Sequence, residues 1–261
     1  MTQNRNSRRV KNLPDLRPLV VGHRGVLFEF LENTKSGFQR AMDLRIDMIE
    51  LDVRETATGE VVVFHDGNLK RLAHNEKEIR NTSWQELNGI DIQSFNNKKF
   101  GKEKIPLFAD VLKMLDHRIE LDVEIKGLEV RKTDLVVQVV RLIEEMKLVD
   151  RVIVSSYNFM ALVYVHQMNP RIRTAFLTDY PNFYFTLEPF IPIKYRPYGL
   201  FFYYGRTNER ILNRALRDYM VMVFTVDDVQ KMKEFMDWGV DGIITNRPDV
   251  LKSLVDGTSV S

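Results

Sequence analysis

The segment Glu120-Leu121-Asp122-Val123-Glu124-Ile125-Lys126 alternates charged and apolar residues without a break. Successive side chains of an extended strand point to opposite faces, so Glu120, Asp122, Glu124 and Lys126 share one face and the apolar residues the other. Residues 47–53 repeat the pattern, with Glu50 and Asp52 opposed to Ile49, Leu51 and Val53. Acids crowded on one face raise one another's pKa values unless a cation sits among them. Carboxylates suit one hard divalent ion, magnesium or calcium, and a chain without cysteine offers no softer thiolate site. The competing reading is a buried network in which Arg24, Arg54 or Lys126 neutralise the acids, and spacing alone leaves the two readings level.

Two histidines stand at the ends of strand-like runs: His23, between Gly22 and Arg24-Gly25, and His65, before Asp66. Histidine exchanges protons near neutral pH, and Arg24 and Lys126 suit an anionic phosphate. A lone histidine before a turn is more often a loop hydrogen-bonder. What points to catalysis is two of them at strand ends, together with the acids.

These side chains need a scaffold that converges strand ends. Short β-branched or aromatic runs recur at 19–22, 47–53, 119–125, 152–155, 173–177, 200–203, 221–226 and 242–245. Amphipathic helical stripes fall between several of them, such as Leu135, Val139, Leu142 and Met146 in 134–148, and Val229, Met232, Phe235 and Met236 in 228–238. Gly239 follows the second where a helix-ending glycine belongs. Eight strand–helix units in one chain of 261 residues predict an α/β fold, a TIM-type (β/α)8 barrel, with an open doubly wound sheet as runner-up. A ninth run, 60–64, follows Val53 too closely for a parallel crossover. It reads as the return of a hairpin turning at Ala57, Thr58 and Gly59, which folds His65 back beside Glu50 and Asp52. Residues 67–105 then form an insertion after the second barrel strand, with a short helix started by the capping box Ser83 to Glu86.

The domain plan is a polar tail, 1–18, and a single domain, 19–261. The tail's Arg5, Arg8, Arg9 and Lys11 read as a solvated charge run. A net charge of +2 offers no broad field for polyanions, so nucleic acid is not an expected partner. No apolar run makes a signal-peptide core or a membrane span, which predicts a cytoplasmic protein without stable membrane insertion. The absence of cysteine fits a reducing compartment, and a homodimer stays open. The aromatic stretch Phe183, Tyr184, Phe185, Phe190, Tyr195, Tyr198, Phe201, Phe202, Tyr203 and Tyr204 reads as packing in preference to a pocket for an acyl chain.

Taken in order, His23-Arg24-Gly25, Glu32-Asn33-Thr34, Glu50-Leu51-Asp52 and His65-Asp66 resemble the signature of glycerophosphodiester phosphodiesterases. The likeness continues through Arg71-Leu72, Ile105-Pro106-Leu107, Glu124-Ile125-Lys126, Ser155-Ser156-Tyr157 and 239–245. It implies metal-dependent hydrolysis of a small glycerophosphodiester to glycerol 3-phosphate and an alcohol. By resemblance, Glu50, Asp52 and Glu124 hold the ion, His23 and His65 are acid and base, and Arg24 and Lys126 bind the phosphate. Glu32 and Asn33 orient their neighbours, Glu32 through backbone at the Thr34 helix start, with direct ligation by Glu32 as the other reading. Phe224 stands where the family carries tryptophan and alters the wall of the substrate pocket. A lysophospholipase D is the enzymatic alternative, and a barrel that binds phosphodiesters without turnover is the non-enzymatic one.

Overall fold

The β-branched runs form strands: β1 Leu19–His23, β2 Met48–Glu55, β3 Val61–Val63, β4 Asp91–Ile92, β5 Glu103–Lys104, β6 Glu120–Ile125, β7 Val152–Ser156, β8 Arg173–Thr178, β9 Gly199–Tyr203, β10 Met220–Phe224 and β11 Gly242–Thr245. The structure is a computed structural model, and it describes residues 17–93, 101–127 and 134–258. Among these, β1, β2, β6, β7, β8, β9, β10 and β11 pair in parallel in that order. Pairing of β1 with β11 closes the ring, which excludes the open doubly wound sheet. Helices fill the crossovers, from Lys35–Asp43 after β1 to Pro248–Val255 after β11, giving a (β/α)8 barrel.

Strand alternation sorts the core into two shells. Ile49, Leu51, Val53, Leu121, Val123 and Ile125 face outward, buried with Phe38, Val111, Val139 and Phe235 from the surrounding helices. Inside the ring, Val21, Met48, Ile153, Ala175, Leu177, Phe201, Met222 and Ile244 form a separate apolar plug. Fully burying a Val, Ile, Leu, Met or Phe side chain contributes about 1.5–3 kcal/mol, so the plug stabilises the floor beneath the polar residues. One step further along the strands, the inward positions become His23, Glu50, Asp52 and Glu124. The inward-facing polar residues are thereby concentrated at the C-terminal mouth.

Several boundaries differ from the sequence reading. The strand expected at 221–226 runs Met220–Phe224, because the chain leaves the ladder at Thr225. The helix expected at 134–148 ends at Glu145, and Lys147, at φ 58°, turns the chain toward β7. Helix Val229–Asp237 is capped by Asp228, whose side chain accepts from the Lys231 amide, and Gly239 follows at φ 70°.

The ninth run is antiparallel to β2, with Val53 opposite Val63 and Glu55 opposite Val61, and Gly59 turns the hairpin at φ 90°. The Phe64 amide bonds to Asp52 O at 2.9 Å, which brings His65 level with the end of β2. Within residues 67–105, Leu69, Leu72, Ile79, Leu87, Ile92 and Ile105 pack on Val62 and Phe64 as a small core that braces this hairpin. Ser83 caps helix Trp84–Gly89 by accepting from the Glu86 amide. The basic residues Arg5, Arg8, Arg9 and Lys11 lie outside the described residues.

Candidate active site

Register sets the acids side by side: His23 is opposite Glu50, Glu50 opposite Asp122, and Asp52 opposite Glu124. Glu50, Asp52 and Glu124 are buried, and one oxygen of each lies within 4.8 Å of the others. Ligand distances of about 2.1–2.6 Å place oxygens around one hard cation at most about 5 Å apart, so the trio fits a single ion. Electrostatics point the same way. Burial and the neighbouring Asp52 push Glu50 well above the usual carboxylate range, and the same causes push Glu124 up to about 7. Burial acts against Asp52 too, yet Lys126 and Arg24 hold it well below that range.

The cationic side chains interleave with this trio. Lys126 Nζ donates to Glu124 Oε1 at 2.6 Å and lies 2.8 Å from Asp52 Oδ1. Arg24 directs its backbone N–H to Glu50 Oε2 at 2.9 Å, and its Nε lies 3.2 Å from Asp52 Oδ2. The turn that allows this is tight. Arg24 sits at φ 53°, and a Cβ on Gly22 would stand 2.4 Å from Gly25 O. Left-handed backbone at a non-glycine residue costs about 1–3 kcal/mol and persists where surrounding contacts impose it. Here the Glu50 and Asn33 contacts do so, the Asn33 amide bonding to Arg24 O at 3.0 Å. Asn33 also donates through Nδ2 to Asp52 Oδ2 at 2.8 Å.

Glu32 lies outside the trio. Its carboxylate accepts from Arg24 at 2.9 Å and from both terminal nitrogens of Arg71 at 2.6 and 2.7 Å. The backbone-capping role expected near Thr34 falls instead to Thr34 itself, whose hydroxyl accepts from the Gly37 amide. Two guanidinium groups are the stronger partners for a buried carboxylate, which is why Glu32 turns to them. Arg71 also donates to Asp66 Oδ2 at 2.7 Å, and Asp66 Oδ1 meets His65 Nδ1 at 2.7 Å. A continuous polar chain thus joins His65 to Arg24 across the mouth.

His23 has a partner that no sequence pattern indicated. Its Nδ1 is 2.7 Å from Asn246 Oδ1, and Asn246 Nδ2 donates to Asp227 Oδ2 at 2.6 Å. A carboxylate only accepts, so the Asn246 amide must present its oxygen to His23 and receive Nδ1–H. This leaves Nε2 with the lone pair, 3.9 Å from Glu50 Oε2. Burial and Arg24 push His23 down to about 4, against the bond it donates to Asn246, so the ring is neutral at pH 7. Asp227 and Asn246 follow β10 and β11. Their only signal was a position after strands that end at the mouth.

Phe224 ends β10 and meets Tyr157 edge to face at 6.2 Å and Tyr203 at 6.4 Å. Together they form an aromatic wall beside the polar centre, in which Tyr157 donates to Asp179 at 3.0 Å. Asp122 faces inward as its alternation requires but lies deeper, fully buried beside the Ser155 hydroxyl. Burial pushes it up to about 8, so it is protonated at neutral pH. Glu120 drops out of the centre because it starts β6 at the opposite end, where Arg173 donates to it at 2.9 Å.

A family model for the glycerophosphoryl diester phosphodiesterase family matches residues 23–250. A glycerophosphodiester phosphodiesterase of Caldanaerobacter subterraneus is 31% identical, over 92% of this chain and 98% of its own length. Its counterpart from Bacillus altitudinis is 30% identical, over 88% and 95%. Among solved structures, a phosphodiesterase of Oleispira antarctica in complex with the product sn-glycerol-3-phosphate superposes with a TM-score of 0.81 at 24% identity, covering 92% of this chain and 97% of that one.

Proposed function

The chain belongs to the glycerophosphoryl diester phosphodiesterase family and is a glycerophosphodiester phosphodiesterase, and from that premise we propose that it hydrolyses small glycerophosphodiesters to glycerol 3-phosphate and an alcohol. The observation that carries the reading is the charge balance of the mouth. Three buried carboxylates, Glu50, Asp52 and Glu124, face two cationic side chains, Arg24 and Lys126. One negative charge is left over. A divalent ion converts this to one positive charge, which a phosphodiester monoanion neutralises. All-oxygen donors and the raised Glu50 and Glu124 fit magnesium or calcium.

When bound by Glu50, Asp52 and Glu124, the ion supplies Lewis-acid polarisation of the phosphoryl group. The remaining work falls to the chain. Arg24 and Lys126 bind the phosphate oxygens and offset charge that develops on them, held in place by Glu32, Asn33 and the carboxylates. His23, neutral and with Nε2 free, accepts the proton of the attacking oxygen, either a water or the glycerol hydroxyl next to the ester, and after hydroxyl attack a water opens the cyclic diester to glycerol 3-phosphate. His65 donates a proton to the leaving alkoxide. Its Nδ1 is fixed by the Asp66 carboxylate at 2.7 Å. Tyr157, Tyr203 and Phe224 wall the side open to the alcohol.

The test is glycerol 3-phosphate release from a panel of glycerophosphodiesters and lysophospholipids with each ion. Hydrolysis of the water-soluble diesters, lost in His23→Ala and His65→Ala, supports the reading. Turnover of lysophospholipids alone would instead make the chain a lysophospholipase D, and binding without turnover would make it a phosphodiester-binding barrel.

A further inference from the structure

We propose that the connection between β8 and β9 is a docking surface that seats the enzyme on an anionic phospholipid bilayer. This crossover consists of helix Pro181–Leu187 followed by two single turns, Glu188–Phe190 and Ile193–Tyr195. Tyr184 and Phe185 bury its inner side in the core around the barrel. Tyr180, Phe183, Leu187, Phe190 and Ile193 recur at three- and four-residue steps along the other side, and Phe183, Phe190 and Ile193 are 65%, 84% and 67% exposed. A segment apolar on both sides has a second partner to meet.

Charge identifies that partner. Residues 179–218 carry six Lys and Arg against four Asp and Glu, the excess coming from Arg206, Arg210, Arg214 and Arg217 in the crossover after β9, whereas the remainder of the chain has no net charge. Arg210, Arg214 and Arg217, with Glu209, line a groove of about 800 Å³ that runs along the flank of the helix next to Asn182 and the buried Phe185. Arg206 lies over the Tyr180 ring at 4.5 Å and Lys194 over Tyr195 at 4.7 Å. One of the four acids, Glu188, is already engaged by Arg196 and Tyr219. Exposed apolar side chains set among cations match a bilayer interface, where the former enter the acyl boundary and the latter meet lipid phosphates.

Other occupants fit less well. Single-stranded nucleic acid stacks on ring faces, which Leu187 and Ile193 do not have. A second copy related by a two-fold axis brings the same positively charged segment against itself. Because Tyr180 follows β8 at the catalytic mouth, docking here sets the mouth beside the bilayer.

The experiment is co-sedimentation of the full chain with vesicles of phosphatidylcholine alone and of phosphatidylcholine containing about one-third phosphatidylglycerol. The expected result is at least about tenfold stronger partitioning to the anionic vesicles, weakened by salt. Phe183→Ser/Phe190→Ser and Arg210→Gln/Arg217→Gln each lower it by about tenfold. Both variants keep wild-type hydrolysis of glycerophosphocholine in free solution, which separates loss of docking from any failure of the catalytic reading. Absence of vesicle binding, equal binding to neutral vesicles, or undiminished binding by the variants would overturn the proposal. So would a dimer in sedimentation velocity that the phenylalanine variants dissociate, or retention on single-stranded RNA, in a chain that ignores vesicles.

Discussion

Replacing Asn246 with alanine removes a side chain that is not bonded to the acidic trio or to the Arg24 and Lys126 side chains, yet it should slow the reaction. Asn246 is the acceptor that fixes His23 with Nδ1 protonated and Nε2 free. A neutral hydrogen bond contributes about 0.5–1.5 kcal/mol net, which corresponds to a roughly two- to twelvefold preference for the productive tautomer. The ring also loses its rotational anchor, and removing such an orienting partner costs about 10–100-fold in activity. Asn246→Ala is therefore expected to lower kcat by about 10–100-fold with KM within about twofold, because in the proposed mechanism His23 acts on a proton and does not hold the substrate. Asp227→Asn should reproduce part of the loss. Without the carboxylate, the Asn246 amide is free to turn and present its nitrogen to His23. The assay is steady-state release of glycerol 3-phosphate from glycerophosphocholine, with circular dichroism to establish folding. A folded Asn246→Ala enzyme with wild-type kcat, or one impaired through KM alone, would refute the tautomer argument.

Stability should depend on pH in the chelated protein. Glu50, Glu124 and Asp122 have folded pKa values raised above their unfolded ones. Their contribution is fully present below about pH 4 and is lost as pH rises through the raised values. The melting temperature in chelator should therefore fall between about pH 5 and 8, while the rise caused by adding magnesium or calcium grows over the same window. Asp122→Asn removes one of these titrations, so its advantage over wild type in urea unfolding should widen by roughly 1.4 kcal/mol per pH unit across that range and flatten above about pH 8. Arg71→Gln releases both Glu32 and Asp66. Kinetics should show a fall in kcat of about 10–100-fold, with the trio's ion affinity measured by calorimetry changed far less.

Much of this arrangement was legible in the chain because it rests on a period of two. Alternation along β2 and β6 aimed Glu50, Asp52 and Glu124 inward, and the short spacing after Val53 marked the hairpin that returns His65. Alternation says which face a residue takes but not its depth along the barrel axis. Glu120, Asp122 and Glu124 therefore looked equivalent, although they lie at the floor, the middle and the mouth, a difference set by how β6 is staggered against its neighbours. Spacing puts Glu32 near the site but does not reveal its contacts, since it turns from the backbone to Arg24 and to Arg71, the latter 39 residues away in the insertion. Asn246 and Asp227 were invisible for a related reason. They are single polar residues in loops with no period, more than 200 residues from the histidine they orient, and only closure of the ring between β11 and β1 brings them together.

In the proposed mechanism Glu50, Asp52 and Glu124 hold a divalent ion on which hydrolysis depends. Calorimetric titration of chelated protein with magnesium and with calcium, run beside glycerol 3-phosphate release on the same samples, tests it most directly. One ion should bind per chain and restore activity, with Asp52→Asn and Glu124→Gln each weakening binding by more than about tenfold and abolishing turnover. Full activity in excess chelator, or unchanged ion binding in both variants, would contradict it.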